Sequence, residues 1–496
     1  MTVLTGQIEE AAASRGDAPY LEDAADSDTL TYAGLRDSVR AWARHLDEAG
    51  IPSGARVAVR LPDPFGYAGA LVGILAAGRV AVPLDPGAPA AEVARVLKVA
   101  QPLAVAGGGL EPGLPVPKIP VPEIPVPRLP ALDPAPAPAS PPAPAAGRGG
   151  IFLCTSGTTG TPKGILLGEA QLMHVAGSVA AHHRLTPADR GYCCLPLFHI
   201  NAEVVGLLAT LAAEACLVVD RKFSRRGFWK LIETRQITWI NAVPAIITIL
   251  AMDPPVATPG RVRFIRSASA PLAPSVLRRF EETFGIPVVE TYGMTEAASM
   301  ITANPLDGPR KAGSAGLAAG TEVRVVSRDG DVQQPCPAGT IGRVQIRGPG
   351  VITEYAEGGP ADAIDADGWL ETGDLGHLDQ DGYLFLAGRS DDVINRGGEK
   401  IYPREIEEFL LTQPGVRSAV VVAVRDEVLG QHPVAYVVPA TGPGGPDLAD
   451  ALRAACEAEL PRPKRPTGFC LVPELPLGAT GKVSRRRLRE LAAAPA

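Results

Sequence analysis

An apolar strand runs directly into a polar loop in residues 151–164, where Ile151-Phe152-Leu153-Cys154 is followed by Thr155-Ser156-Gly157-Thr158-Thr159-Gly160-Thr161-Pro162-Lys163-Gly164. Hydroxyl groups, glycines and one lysine offer side-chain donors, backbone N–H groups and a positive charge to phosphate oxygens. The loop is not a Walker A loop, because Pro162 precedes the lysine and Gly164 follows it. The stretch therefore predicts a strand that feeds a phosphate-binding loop of a different kind.

Helical stretches alternate with short apolar strands on both sides of this loop, which is typical of an α/β fold with a mostly parallel sheet. Two such units lie in residues 30–86, and the alternation resumes after residue 150, with a helix at Pro274–Phe284. After Arg389 the pattern changes to a smaller α+β unit, with a helix at Pro403–Leu411.

The length of 496 residues is too great for one compact domain. We expect a large N-terminal domain, residues 1–387, built of layered α/β subdomains and a distorted β-barrel. Residues 392–496 are expected to form a small α+β C-terminal domain. The boundary is predicted at residues 388–391.

A proline-rich insert at about residues 111–147 interrupts the alternation. Proline has no amide donor, so the repeated prolines of residues 116–130 predict neither a β-ladder nor a helix. Polyproline II or disordered chain on the surface is expected there, with no part in the chemistry. A role as a ligand for proline-binding domains is the alternative.

Composition excludes several classes of protein. A formal net charge of −7 argues against a protein whose main partner is nucleic acid. The seven cysteines show no C-x-x-C spacing, which disfavours a disulfide framework or a zinc site and fits a reducing compartment. Met1–Asp17 lacks the features of a signal peptide, and the apolar stretches are too short for a membrane span. A cytoplasmic protein is expected.

Six motifs resemble, in order, the signatures of the adenylate-forming ANL superfamily of acyl-CoA synthetases, adenylation domains and luciferases. They are Thr155–Gly164, Tyr292–Glu296, Thr372–Asp374, Gly388–Ile394, Gly397–Pro403 and Gly478–Lys482. The resemblance, of the AMP-forming acyl-CoA synthetase type, implies a carboxylate–CoA ligase that uses ATP, Mg²⁺ and CoA. A carboxylic acid would become acyl-AMP with release of pyrophosphate, and its acyl group would then pass to the thiol of CoA with release of AMP.

The same resemblance assigns the nucleotide site. Attack of a carboxylate on the α-phosphate brings two anions together, so the site must neutralise charge. Glu296 resembles the carboxylate on the metal side, Thr158 and Thr295 the phosphate contacts, Tyr292 the aromatic ring against adenine, and Asp374 the carboxylate that accepts from both ribose hydroxyls. The full ATP and AMP set is Thr155, Ser156, Gly157, Thr158, Thr159, Gly160, Lys163, Tyr292, Gly293, Thr295, Asp374 and Arg389.

The small domain is implied to be mobile. Lys482 resembles the lysine that bridges the acyl carboxylate and the α-phosphate during adenylation, and Asp391 the hinge about which the domain swings. After the swing, the loop Asn395–Lys400 would replace Lys482 at the active site. The predicted lining of the pantetheine tunnel is Gly397, Gly398, Glu399 and Lys400.

Three stretches resemble the family's acyl pocket: Phe198–Gly206, Ser267–Pro271 and Thr291–Ser299. The predicted lining residues are Phe198, His199, Ala202, Glu203, Ser267, Ala268, Ser269, Ala270, Gly293, Met294 and Ser299. His199 joins Thr158, Glu296 and Lys482 as a predicted catalytic residue.

The substrate expectation follows from these stretches. An amino-acid-activating domain usually has an aspartate near His199, so an α-amino acid is disfavoured. The local sequence resembles the oxalate–CoA ligase branch, but Ala298-Ser299-Met300 stands where that branch has a histidine. Because the stretches offer no obvious second cation, a neutral-tailed monocarboxylate, aliphatic or aryl, is expected.

Alternative functions remain at this level. A stand-alone ligase that loads a separate phosphopantetheinyl carrier protein is the main one, because the chain ends soon after Lys482 and leaves no room for an appended carrier domain. A luciferase-like oxygenase is a rarer possibility. A non-catalytic nucleotide sensor is disfavoured by the joint presence of Lys482, Glu296 and Asp374.

Overall fold

The computed structural model describes residues 2–107, 118–119, 149–156, 162–252, 260–329, 332–360, 362–440, 446–477 and 483–493. The α-helices in these ranges are α1 (Val3–Arg15), α2 (Tyr32–Glu48), α3 (Pro64–Ala76), α4 (Ala90–Ala100), α5 (Glu169–His182), α6 (Ala209–Ala212), α7 (Phe228–Thr234), α8 (Pro244–Ala251), α9 (Pro274–Phe284), α10 (Pro403–Leu411), α11 (Pro446–Glu459) and α12 (Arg485–Ala493). A π-helical segment, Asn201–Leu208, leads into α6.

The strands fall into four sheets. In chain order they are β1 (Pro19–Asp23), β2 (Thr29–Thr31), β3 (Arg56–Arg60), β4 (Val80–Pro83), β5 (Ala104–Gly107), β6 (Lys118–Ile119), β7 (Gly150–Ser156), β8 (Pro162–Gly168), β9 (Arg190–Cys193), β10 (Cys216–Val219), β11 (Trp239–Ala242), β12 (Phe264–Ser267), β13 (Val288–Met294), β14 (Ser299–Ala303), β15 (Leu317–Ala318), β16 (Glu322–Asp329), β17 (Val332–Pro335), β18 (Gly342–Arg347), β19 (Leu370–Leu378), β20 (Leu384–Arg389), β21 (Ile394–Arg396), β22 (Glu399–Ile401), β23 (Val416–Asp426), β24 (Gly430–Pro439) and β25 (Gly468–Leu471).

Two mostly parallel sheets form the body of the protein. One has the order β6-β5-β3-β4-β7-β8, and the other the order β15-β14-β13-β12-β11-β9-β10-β1-β2. The largest apolar core lies between them and includes residues of α2, α3, α5 and the π-helical segment. Helix α3 is apolar on all sides because it is enclosed in this core, and the side chain of Asp63 caps it by accepting from the amide of Gly66. These layers are the α/β architecture that the sequence predicted.

The proline-rich insert is not wholly without sheet structure. Lys118 and Ile119 form β6, which pairs in parallel with Val105 and Ala106 at the edge of the six-stranded sheet. The prediction that no ladder forms in residues 116–130 is therefore wrong at these two positions. The physical reason is that Lys118 and Ile119 stand between two prolines but keep their own amide groups, so they can form hydrogen bonds to one neighbouring strand. An edge strand needs a partner on one side only. The rest of the insert, residues 108–117 and 120–148, lies outside the described residues.

The antiparallel strands expected to form a distorted barrel form an open sheet of order β17-β16-β18-β19-β20. Its edge strands are not paired with each other in the described residues. A bridge between Gly316 and Leu384 connects β20 to the segment before β15. A cavity of about 220 Å³ opens beside β20, between Phe385 and Tyr402.

The last sheet, β22-β21-β24-β23 with β25 beside β24, carries its own core with α10 and α11. Helix α12 packs against β23 through a second small cluster around Leu488. Among the helices in the described ranges, none combines the length and the apolarity that a membrane crossing requires.

Candidate active site

The predicted phosphate loop connects two paired strands. Strand β7 pairs antiparallel with β8, and the last pair in the register is Ser156 with Pro162, so residues 157–161 form the connection. The strands thus extend further into the polar stretch than the sequence predicted. Thr155 and Ser156 lie in β7, and the predicted phosphate contacts Gly157, Thr158, Thr159 and Gly160 lie outside the described residues. The ammonium of Lys163 lies 5.2 Å from the centre of the Tyr355 ring.

The predicted ribose-binding residues are in direct contact. The hydroxyl of Tyr292 donates to Asp374 Oδ2 at 2.6 Å, and Arg389 Nη1 donates to the carbonyl of Thr372 at 3.0 Å. Arg389 also approaches Asp374 Oδ1 at 3.4 Å, across the β19–β20 register in which these two residues are partners. Burial, and then the neighbouring Asp374 carboxylate, raise the pKa of Tyr292 well above its usual value. The phenol therefore stays a donor at neutral pH.

Glu296 lies just past the carboxyl end of β13, beside Thr295, in a one-turn helix of residues 295–297. It is buried, and Tyr355, a residue that the sequence analysis did not identify, donates its hydroxyl to Glu296 Oε1 at 3.1 Å. The described residues contain no cluster of three or more His, Cys, Asp or Glu side chains that could hold a metal. Magnesium in nucleotide sites is held by one or two carboxylates together with substrate phosphates. Glu296 fits such a single carboxylate.

The three predicted acyl-pocket stretches converge at the ends of β12 and β13. Phe198 and His199, with ring centres 4.6 Å apart, precede the π-helical segment, which carries Ala202 and Glu203. Asn201 Nδ2 lies 3.4 Å from the hydroxyl of Ser269, so the first two stretches touch. The second stretch begins at the end of β12 and contains Ser267, Ala268, Ser269 and Ala270.

The third stretch is closed by a tight contact between β13 and β14. Gly293 and Met294 end β13, and Ser299 begins β14 opposite Met294. A Cβ at Gly293 would lie 1.5 Å from the carbonyl oxygen of Ser299, so only glycine fits there. Carboxyl ends of parallel strands are the usual binding site in open α/β sheets. The pocket stretches are therefore brought together where a ligand is expected.

A second cation lies directly behind the pocket. Arg266, the residue before Ser267, is 1% exposed, and its Nη1 donates to the side-chain oxygens of Asn201 at 3.0 Å and Asn241 at 3.1 Å. Burial lowers its pKa to about 9. Arg266 lies one residue before the stretch Ser267–Pro271, so the expectation that the three stretches contain no second cation holds for those residues but does not cover this neighbour. A single charged residue in an otherwise apolar strand gives no sequence signal that it faces inward.

Glu203 is fully buried in the π-helical segment. The hydroxyl of Tyr67, from α3, donates to its Oε1 at 2.6 Å, and its Oε2 has no hydrogen-bond partner in the described part of the chain. Burial raises the pKa of Glu203 to about 8, although the bond from Tyr67 opposes the shift. The carboxyl is therefore largely protonated at neutral pH, so it would enter the predicted pocket as a neutral group.

Glu203→Gln is expected to remove a pH-dependent loss of stability. Both states are protonated below pH 4.5; between pH 4.5 and 8 the unfolded chain loses the proton while the folded chain keeps it. Stability of the native protein therefore falls as pH rises through this window, by roughly 5 kcal/mol in total. Urea unfolding at pH 5, 6, 7 and 8 should show the stability gain of the Gln variant growing with pH. Glu282→Gln, on the exposed face of α9, is the matched control; equal pH profiles for all three proteins would contradict the assignment.

The predicted hinge lies between two anchored points. Gly388 and Arg389 end β20, Ser390–Asp392 form a single helical turn, and Asp391 is exposed. The carboxylate of Asp392 forms ion pairs with Arg485, at 3.3 Å, and with Arg489, both from α12.

The predicted tunnel residues lie on the β21–β22 hairpin. Gly397, Gly398, Glu399 and Lys400 are all exposed, and a Cβ at Gly398 would meet nothing within 4 Å. Lys482 lies outside the described residues, in the segment between Leu477 and Val483, which pair with each other.

The predicted acyl pocket and the two predicted nucleotide-site carboxylates, Asp374 and Glu296, are arranged as the resemblance to adenylate-forming enzymes implies. Residues 8–356 match the model of the AMP-binding enzyme family, and residues 405–482 match that of the AMP-binding enzyme C-terminal domain. The chain belongs to the AMP-binding enzyme family.

The chain is similar to known CoA ligases and to a solved structure with bound ATP. The sulfoacetate–CoA ligase of Cupriavidus necator is 41% identical, covering 98% of this chain and 97% of that protein. The oxalate–CoA ligase of Arabidopsis thaliana is 35% identical, with 92% of each chain covered. ATP-bound MatB from Rhodopseudomonas palustris superposes with a TM-score of 0.85 at 28% identity, covering 98% of each chain. The protein is an AMP-forming carboxylate–CoA ligase that uses ATP, Mg²⁺ and CoA.

Proposed function

We propose that this ligase acts on a short carboxylic acid. The observation that carries the proposal is the contact between two of the predicted pocket stretches: Asn201 Nδ2 lies 3.4 Å from the hydroxyl of Ser269, so this end of the predicted pocket carries polar side chains, which suit a short acid better than a long apolar tail. Two relatives point the same way, because sulfoacetate and oxalate are both short acids with a second acidic group. All seven cysteines are unpaired, which supports the cytoplasm as the compartment.

In the first step, a carboxylate oxygen of the acid attacks the α-phosphorus of ATP, and the bond to pyrophosphate breaks. The loop between β7 and β8, with Lys163 beside it, would hold the phosphates, while Asp374 would accept from the ribose hydroxyls. Glu296 would hold Mg²⁺, which neutralises phosphate charge when bound. Tyr355 fixes one oxygen of Glu296 and so orients the carboxylate. Lys482 would bridge the two reacting anions.

The second step transfers the acyl group to sulfur. The CoA thiolate attacks the acyl carbonyl, a C–S bond forms, and AMP leaves with the electrons of the C–O bond. We assign residues 1–387 to the large domain, 388–391 to the hinge and 392–496 to the small domain. A swing at the hinge would remove Lys482 and bring Gly397–Lys400 to the site, where Gly398 permits close backbone approach of the pantetheine arm.

The anchors on either side support this hinge. Arg389 is hydrogen-bonded to Thr372, and Asp392 is paired with α12. Ser390 and Asp391 lie between these two fixed points, so a rotation of the small domain would change their backbone dihedrals. A few such residues are sufficient to absorb the rotation of a whole domain.

A pyrophosphate-release screen over carboxylic acids, with CoA or a phosphopantetheinyl carrier protein as acceptor, tests the proposal. Short acids with CoA are expected to give the highest kcat/KM. A preference for long-chain or aryl acids would contradict the proposal. If the thioester formed only on the carrier protein, the acceptor would be the carrier protein and not CoA.

A further inference from the structure

Arg266 is a buried cation without an acidic partner. It lies on β12 with 1% of its surface exposed, and no acidic side chain of the described residues forms an ion pair with it. Nη1 is bonded to the oxygens of Asn201 and Asn241, while Nε is buried and has no partner in the described part of the chain. Asn241 Nδ2 in turn donates to Asn201 Oδ1 at 3.2 Å, which fixes both amides with their oxygens toward the arginine.

This arrangement is costly in a folded protein. Removing an ion from water costs several kcal/mol unless an opposite charge is nearby. Two amide oxygens satisfy one nitrogen of the guanidinium, and they supply no negative charge. Burial lowers the pKa of Arg266 accordingly, but an arginine remains protonated at neutral pH. Among the described residues, therefore, no carboxylate balances the charge of Arg266.

The position of the cation identifies where the anion would come from. Asn201 contacts Arg266 on one side and Ser269 on the other, and Ser269 is exposed in the predicted acyl pocket. The guanidinium is thus one side chain deeper than the pocket surface. An anionic group bound beside Asn201 and Ser269 would therefore be the nearest candidate to balance the charge of Arg266.

We propose that Arg266, held by Asn201 and Asn241, binds a second anionic group of the substrate, a carboxylate or a sulfonate remote from the carboxylate that is adenylated. This inference rests on the proposed function and names its substrate class: short acids that carry two negative charges. A planar guanidinium suits both groups, because it offers paired donors to their oxygens. A neutral tail would leave the cation unpaired, and sites built around a buried polar partner discriminate strongly against analogues that lack it.

The test compares acids of matched length that differ in the second charge. Pyrophosphate release is measured with malonate and propionate, with succinate and butyrate, and with 3-sulfopropionate and butyrate, for the wild type, Arg266→Met and the control Arg278→Met on the exposed face of α9. In the wild type and the control, kcat/KM is expected to favour the doubly charged acids by at least about 10²-fold. In Arg266→Met this preference should be lost, with a gain on the neutral acids. Comparison of the succinate and 3-sulfopropionate preferences shows whether Arg266 favours a carboxylate or a sulfonate as the second group.

Thermal unfolding separates binding from a structural role. Replacement of an unpaired buried charge by an apolar side chain of similar length is expected to leave Tm unchanged or raise it. A lower Tm with equal losses on all acids would overturn the inference, and so would a wild type that prefers neutral acids. Failure to activate any acid would overturn the proposed function, and the inference with it.

Discussion

Lys482→Ala is expected to slow formation of the acyl-adenylate by at least ~10²–10³-fold. The proposed role of this lysine is to stabilise the negative charge that develops between the acyl carboxylate and the α-phosphate. Its segment follows Leu477 and leads into α12, whose Arg485 is bonded to Glu407 of α10 at 2.8 Å. We therefore propose that the small domain would carry this lysine away from the site in the swing.

Thioester formation from supplied acyl-adenylate should therefore survive in Lys482→Ala. Pyrophosphate exchange into ATP measures the first step, and CoA-thioester yield from synthetic acyl-adenylate measures the second. Lys230→Ala, an exposed position on α7, should leave both rates unchanged. If both steps of Lys482→Ala were impaired alike, the lysine would have a general structural role and not a step-specific one.

Asp391→Pro is expected to separate the two steps in the opposite direction, sparing adenylation and impairing transfer to CoA. Proline holds φ near −65°, which suits the helical turn at Ser390–Asp392, so pyrophosphate exchange should persist. The preceding Ser390 is restricted as well, and the proposed domain swing would need large dihedral changes at these residues. Transfer to CoA should fall by ~10² or more, because the Gly397–Lys400 loop would be misplaced.

Asp391→Gly is the matched control, since it also removes the side chain but frees the backbone. It should retain both pyrophosphate exchange and thioester yield. Normal thioester formation by Asp391→Pro, with folding verified by circular dichroism, would place the pivot elsewhere or remove the need for a swing.

Local patterns predicted much of the fold. The helices at Pro274–Phe284 and Pro403–Leu411 have the predicted bounds, because each begins with a proline at its first turn and shows a clear amphipathic period. The apolar run at Ile151–Cys154 lies within β7 as a buried or half-buried strand. The sequence motifs assigned Asp374 and Arg389 to the same nucleotide site, and in the structure these two residues are partners in the β19–β20 register.

Other features depend on contacts that local sequence does not encode. Lys118–Ile119 forms β6 because a neighbouring strand edge is available. Arg266, Asn241 and Asn201 come from two strands and a π-helical segment, and only the tertiary structure shows that they meet in the interior. Tyr355 reaches Glu296 from a loop 59 residues further along the chain. Pairwise contacts of this kind are set by packing, which periodicity does not report.

The central claim, that the acid is activated as an acyl-adenylate, is tested most directly by an oxygen label. An acid enriched with ¹⁸O in its carboxylate is turned over with ATP and CoA, and the products are analysed by mass spectrometry. Attack of the carboxylate on the α-phosphorus followed by cleavage at the acyl carbon predicts one ¹⁸O atom in each AMP and none in pyrophosphate. Unlabelled AMP, or the label in inorganic phosphate, would contradict the account.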